Sequence, residues 1–220
     1  MKRIEERRDE CGFARIFEYV TIEGHEYKTK CGLVDCNNKE IVPCKYHNIL
    51  GFYNGAPLCC VELQNEWGYI NKQGNEVVSC KYSFADDRFY CGLAMVERSG
   101  KYGFIDSTGR ETIPCIYDRA TIFWDNLCGV MKSGYYGCID KQGHTVIPFN
   151  YDYLNVMGQK RIFVRKYGKC GMLDYNGYSV VQCEYDELSN ILSDGRIEYK
   201  KGAEHGFMDL DGKNKQILPF

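Results

Sequence analysis

The chain has 220 residues, 44% apolar and 26% charged, which is enough to bury an ordinary core and excludes global disorder. A net charge of −2 and a pI near 6.1 exclude a basic nucleic-acid footprint spread over the surface, and no apolar run approaches the roughly 18 residues of a membrane-spanning helix. The 23 Gly and 18 Tyr, with only 5 Pro, point to many tight turns between short strands.

Residues 1–10 are almost all charged and lack the apolar stretch of a secretion signal. They are set apart as a charged N-terminal segment, and a single β-repeat domain is expected over 11–220. The 13 Cys are odd in number and cannot all pair within the chain, so reduced thiols in a cytoplasmic protein are expected.

A first strand is predicted from Phe13 to Val20. Then a pattern begins that recurs through the chain. Cys31-Gly32-Leu33-Val34-Asp35 is followed by Trp67-Gly68-Tyr69-Ile70-Asn71, Tyr102-Gly103-Phe104-Ile105-Asp106, Tyr136-Gly137-Cys138-Ile139-Asp140, Cys170-Gly171-Met172-Leu173-Asp174 and His205-Gly206-Phe207-Met208-Asp209. The glycines lie 36, 35, 34, 34 and 35 residues apart, so six copies of about 35 residues fill the chain and leave no room for a separate catalytic domain.

Each copy reads the same way. An upstream apolar-polar strand, such as Leu93–Glu97 or Arg161–Arg165, leads through a tight turn to the Gly strand. The Asx then opens a hairpin turn closed by Gly74, Gly109, Gly143, Gly177 or Gly212, with Asn38 in the first copy. A further strand follows (Ile41-Val42-Pro43, Val77-Val78-Ser79, Thr112-Ile113-Pro114, Val146-Ile147-Pro148, Val180-Val181-Gln182, Ile217-Leu218-Pro219), and Tyr46, Tyr82, Tyr117, Tyr151 or Tyr185 opens a segment of variable length. That segment is where a fourth short strand would fit. Paired apolar neighbours after each Gly imply sheets covered on both faces.

The fold expected is all-β: six tandem β-meander repeats, with a propeller-like toroid favoured over an open β-solenoid or superhelix of three-stranded units. In the toroid, the N-terminus would complete the last unit.

These motifs resemble the WG-repeat family, in which Trp-Gly or Tyr-Gly precedes Phe-Ile-Asp, Gly, Val-Ile-Pro and Tyr-Asp. Lys101–Gly109 followed by Ile113–Asp118 is the nearest copy; only Trp67 is the eponymous Trp. The resemblance spans residues 31–220 and, more weakly, from 11. It implies a bacterial binding or scaffold module and supplies no catalytic residues.

The residues themselves offer little chemistry. Cys44, Cys80, Cys115 and Cys183 share a column with Phe149 and Phe220, which marks an apolar slot rather than a zinc site, and no second C-x-x-C half exists. The Asx row from Asp35 to Asp209 places one oxygen ligand per copy, which suits turn capping rather than calcium. The second row, Asp118, Asp152 and Asp186, reads as local turn hydrogen bonding. His25, His47, His144 and His205 have no recognisable catalytic partner motif, so no enzyme activity, metal or cofactor is expected. The variable segments carry the candidate binding residues Phe52, Tyr53, Phe89, Tyr90, Phe123 and Trp124, an aromatic set suited to anchoring a protein partner. A small-ligand or glycan binder is the alternative. Neither a nucleic acid nor a membrane is expected as partner.

Overall fold

The computed structural model describes residues 1–53 and 55–218. Pro219 and Phe220, assigned above to the last strand and the Cys column, lie outside the described residues. The architecture is all-β: six four-stranded antiparallel sheets follow one another along the chain. By internal contacts the chain divides into two compact units, 1–116 and 117–220.

The first unit holds three sheets: β1 (Lys2–Arg8), β2 (Ala14–Ile22), β3 (His25–Val34) and β4 (Glu40–Tyr46); β5 (Asn48–Ile49), β6 (Cys59–Leu63), β7 (Glu66–Ile70) and β8 (Glu76–Tyr82); and β9 (Phe84–Ala85), β10 (Leu93–Arg98), β11 (Lys101–Asp106) and β12 (Glu111–Tyr117), whose last residue begins the second unit. The second unit holds β13 (Arg119–Ala120), β14 (Leu127–Lys132), β15 (Tyr135–Asp140) and β16 (Thr145–Tyr151); β17 (Tyr153–Met157), β18 (Arg161–Lys166), β19 (Lys169–Asp174) and β20 (Ser179–Tyr185); and β21 (Glu187–Leu188), β22 (Ile197–Lys201), β23 (Glu204–Met208) and β24 (Gln216–Ile217).

The short strand expected just after each repeated Tyr is present as the first strand of the following sheet, so each sheet has four strands. The charged N-terminal segment, set apart above from the repeat domain, is itself a strand, and β1 pairs with β2 of the first sheet. The last sheet takes its first strand from Glu187–Leu188.

The repeated Gly is required by space rather than by φ. A Cβ on Gly68, Gly103, Gly137 or Gly171 would stand 2.5 to 2.7 Å from the carbonyl oxygen of Val78, Ile113, Ile147 or Val181 on the next strand. On Gly32 and Gly206 it would collide with the carbonyls of Val42 and Gln216. The pairing register is irregular at this point, for instance between Trp67↔Tyr82 and Tyr69↔Val78. The fourth strand therefore bends in against a bare backbone.

The apolar doublets face opposite ways, as both-face burial requires. Ile70 packs with Leu33, Val42 and Tyr46 of the first sheet, while its neighbour Tyr69 packs with Val96 and Ile105 of the third. Cys59 and Cys60 separate in the same manner, so this adjacent pair is divided between two cores. In the second unit, Ile162 and Leu173 join Cys138 and Ile147, whereas Cys170 and Met172 join Ile197 and Tyr199.

Both Asx rows are turn devices. In the first, Oδ1 of Asp35, Asn71, Asp106, Asp140, Asp174 and Asp209 accepts the backbone N–H groups two and four residues on. The residue three beyond each Asx has positive φ, from 62° at Asn38 to 88° at Gly177. In the second row, Oδ2 of Asp118, Asp152 and Asp186 accepts the N–H of Ser133, Gly168 and Gly202 at the tip of the next hairpin; His47 Nδ1 does the same for Gln64.

Two predictions follow from these contacts. Gly103→Ala should destabilise the chain by about 2–3 kcal/mol in equilibrium unfolding, since backbone must move to admit the methyl. Gly158→Ala, with nothing within 4 Å and no positive φ, should be neutral or stabilise by up to about 1 kcal/mol. The second prediction concerns acid. Burial pushes the Asp106 carboxyl up, but the Thr108 hydroxyl and amide and the Arg110 amide outweigh it, and the net shift is downward. Asp209 is held down chiefly by the Lys213 amide. A depressed folded pKa gives stability above the unfolded value that is lost as pH falls through the folded one. Stability should therefore drop below about pH 4. Asp106→Asn, which retains the amide acceptor that Asn71 uses at 3.0 Å, should flatten that drop in thermal melts across the window.

Candidate functional site

The repeat sends its variable segments to the same end of each sheet as the Asx turns. In the first unit, three of them adjoin: Asp9–Phe13, the described residues of 50–58 and Asp86–Gly92. The Asp9 carboxylate fastens the first two, accepting the amides of Cys11 and Phe13 through Oδ1 and the amide of Phe52, at 2.9 Å, through Oδ2. The Phe13 and Phe52 rings meet beneath at 5.2 Å. The second and third segments enclose a cleft of about 350 Å³ lined by Tyr53, Pro57, Arg88, Phe89 and Tyr90. Tyr53 also borders a smaller cleft of about 90 Å³, shared with Arg7, Arg8 and Arg15.

The cleft wall is well held. Tyr69 donates its hydroxyl to the Asp86 carbonyl at 2.8 Å, and its ring lies 6.1 Å from Phe89. The Arg88 amide donates to the Asp86 carboxylate, and its guanidinium lies 3.5 Å from the Tyr90 hydroxyl. Burial pushes the Asp86 carboxyl up. Arg15 forks onto Glu5 at 2.7 and 2.8 Å, and that hydrogen bonding holds the Glu5 carboxyl below its usual range.

Two of the candidate aromatic pairs split: Phe52 and Phe123 are fully enclosed, at 0% and 2% exposure, while Tyr53 is half-buried and Trp124 is 50% exposed. In the remaining pair Phe89 and Tyr90 are both half-buried, Phe89 against the core. The structure places Phe52 and Phe123 in the core, where their rings fill space beneath the loops. Trp124 sits on a hairpin, exchanging backbone hydrogen bonds with Leu127 at 2.8 and 2.9 Å around Asp125-Asn126. The structure thus gathers Tyr53, Phe89 and Tyr90 into one cleft and adds Arg88 and Pro57. Arg88 lay next to a flagged aromatic in the sequence, which was the one signal available for it.

The buried thiols are packing groups. Burial pushes Cys59, Cys128 and Cys138 up to about 12 and Cys31 to about 11. Among the described residues, no three or more His, Cys, Asp or Glu side chains are grouped so as to hold a metal ion.

Comparison with known proteins agrees with the repeat. The family model described as "WG containing repeat" matches residues 32–66, 67–102, 102–136, 136–170 and 171–203. No curated protein matches the chain. Among solved structures, the chain is similar to a eukaryotic initiation factor, with a TM-score of 0.53 and 8% identity over 98% of this chain. It spans 65% of that chain, just under two thirds of its length. Hsv2p from Kluyveromyces lactis gives a TM-score of 0.44 at 8% identity, over 95% of this chain and 92% of the other. Likeness at this identity concerns fold alone.

With a thiol-alkylating reagent at neutral pH, the exposed Cys36 and Cys91 should label first, while Cys59, Cys128 and Cys138 label only on unfolding. Peptide mass mapping checks the order; rapid native labelling of any of those three would contradict it.

Proposed function

The chain belongs to the WG-repeat family, and we propose that it is a non-enzymatic binding module whose variable-loop end, in the first unit, grips a protein partner. The observation that carries this reading is the meeting of two irregular segments at one cleft rimmed by Tyr53, Arg88 and Tyr90, with a third segment fastened to the first of them through Asp9. Tyr and Arg are the residue types that concentrate binding energy when a partner covers them. The loops are free to vary because the sheets beneath them are complete without them, and the Asp9 bridge fixes their spacing before any partner arrives. A scaffold or regulatory role in a bacterial cytoplasm is the setting proposed, with an inhibitor of a toxin as one specific form.

A photo-crosslinking amino acid placed at Tyr90 should capture a discrete protein in the native cell, while the same group at Val77, exposed elsewhere on the first unit, should not. Arg88→Ala and Tyr53→Ala should each weaken binding of the captured partner about tenfold or more. Equal capture from both positions, or affinity indifferent to both substitutions, would refute the proposal.

A further inference from the structure

Six copies in phase allow each residue to be judged against its sisters. Positions that the fold needs keep the same kind of residue from copy to copy; a departure that the fold does not need stands out. Such departures converge on the hairpin tips of β14–β15 and β18–β19. Two residues before the repeated Gly, five copies carry a charged residue (Lys30, Glu66, Lys101, Lys169, Glu204), and the fourth carries Tyr135, 53% exposed. At the tip position where other copies have Gln64, Ser99 and Ser133, the fifth has Tyr167. Beside them stands Phe149, a ring in the apolar column of Cys44, Cys80, Cys115 and Cys183, where the sixth copy has Phe220.

Tyr167 is the more telling departure. It holds φ at 52° and is 88% exposed. A bulky side chain in the left-handed region costs about 1 kcal/mol or more, and at this exposure packing returns little. Gly or Asn would suit the turn better. A residue that strains the backbone and packs on almost nothing is explained by something outside the fold.

The three rings border one cleft of about 420 Å³, completed by Asn150, Asp152 and Lys166. That volume lies within the range of small-molecule sites. The lining joins three rings with an amide, a carboxylate and an ammonium group, so it is not a purely apolar wall. The Lys166 ammonium lies over the Tyr151 and Tyr167 rings, at 5.4 and 5.6 Å, and Asp152 brings the opposite charge, so the cleft favours neither anion nor cation. A pyranose ring has a C–H face that stacks on an aromatic ring and a hydroxyl edge that both donates and accepts hydrogen bonds. We propose that this cleft of the second unit binds a neutral oligosaccharide of pyranose units, its C–H faces against Tyr135 and Tyr167 and its hydroxyls on Asn150 and Asp152. The site is independent of the first-unit cleft and of its partner.

The test uses the full chain and four tetrasaccharides, namely cellotetraose, chitotetraose, maltotetraose and mannotetraose, by titration calorimetry at low and high salt. At least one should bind with a dissociation constant below about 1 mM, with little salt dependence. Tyr135→Lys and Tyr167→Ser install residues that sister copies already carry. Each should weaken binding tenfold or more and leave the thermal midpoint unchanged or raised. The proposal is overturned if none of the four sugars binds, if binding survives both substitutions, if Tyr167→Ser lowers the midpoint by several degrees, or if the cleft takes a peptide and no sugar.

Discussion

Everything in this fold hangs on a backbone that carries no side chain at one place in each sheet. Where the third strand meets the fourth, a carbonyl oxygen occupies the volume that any Cβ would need. That approach lets the fourth strand bend across the third and return a Tyr to the core, from where the chain passes into the next sheet. Tyr46 and Tyr82, both fully buried, fill the resulting space. The Gly, the apolar pair after it and the Tyr are thus one device seen from three sides, which explains why they keep phase through the chain.

A body built this way leaves its loops unconstrained. The sheets close their own hydrogen bonding, and two sets of acceptors settle the turns: the Asx after the apolar pair, and the Asp that follows the buried Tyr and reaches the next hairpin tip. Loop residues outside these columns either plug the core, as Phe52 and Phe123 do, or lie where water or a ligand reaches them, as Trp124 does.

How much of this was legible in the sequence depends on whether a segment carries periodicity. The Gly column, the doublets and the Asx turns do, and they yielded the repeat and its all-β character. β1 does not: its Lys, Arg and Glu residues suit an edge strand that must resist pairing with other chains, and such a strand reads as a charged tail. The two-residue strands after each Tyr are too short to show any period. At the candidate site, the aromatics were visible as residue types, but Phe52 and Phe123 could not be told from Tyr53 and Trp124 without knowing which ring had a cavity to fill. Tyr135 and Tyr167 were hidden in plain view, because their signal is a contrast with sister copies rather than a motif.

The claim at the centre is a division of labour: repeated columns hold the fold, and exposed departures from them recognise ligands. The most direct measurement is the thermal midpoint, with partner and ligand binding alongside, of a chain in which Tyr53, Arg88 and Tyr90 become Ser and Tyr135 and Tyr167 take their sister residues. The account predicts a midpoint equal to or above that of the parent and no binding at either cleft. A chain that melts many degrees lower, or one that still binds, would contradict it.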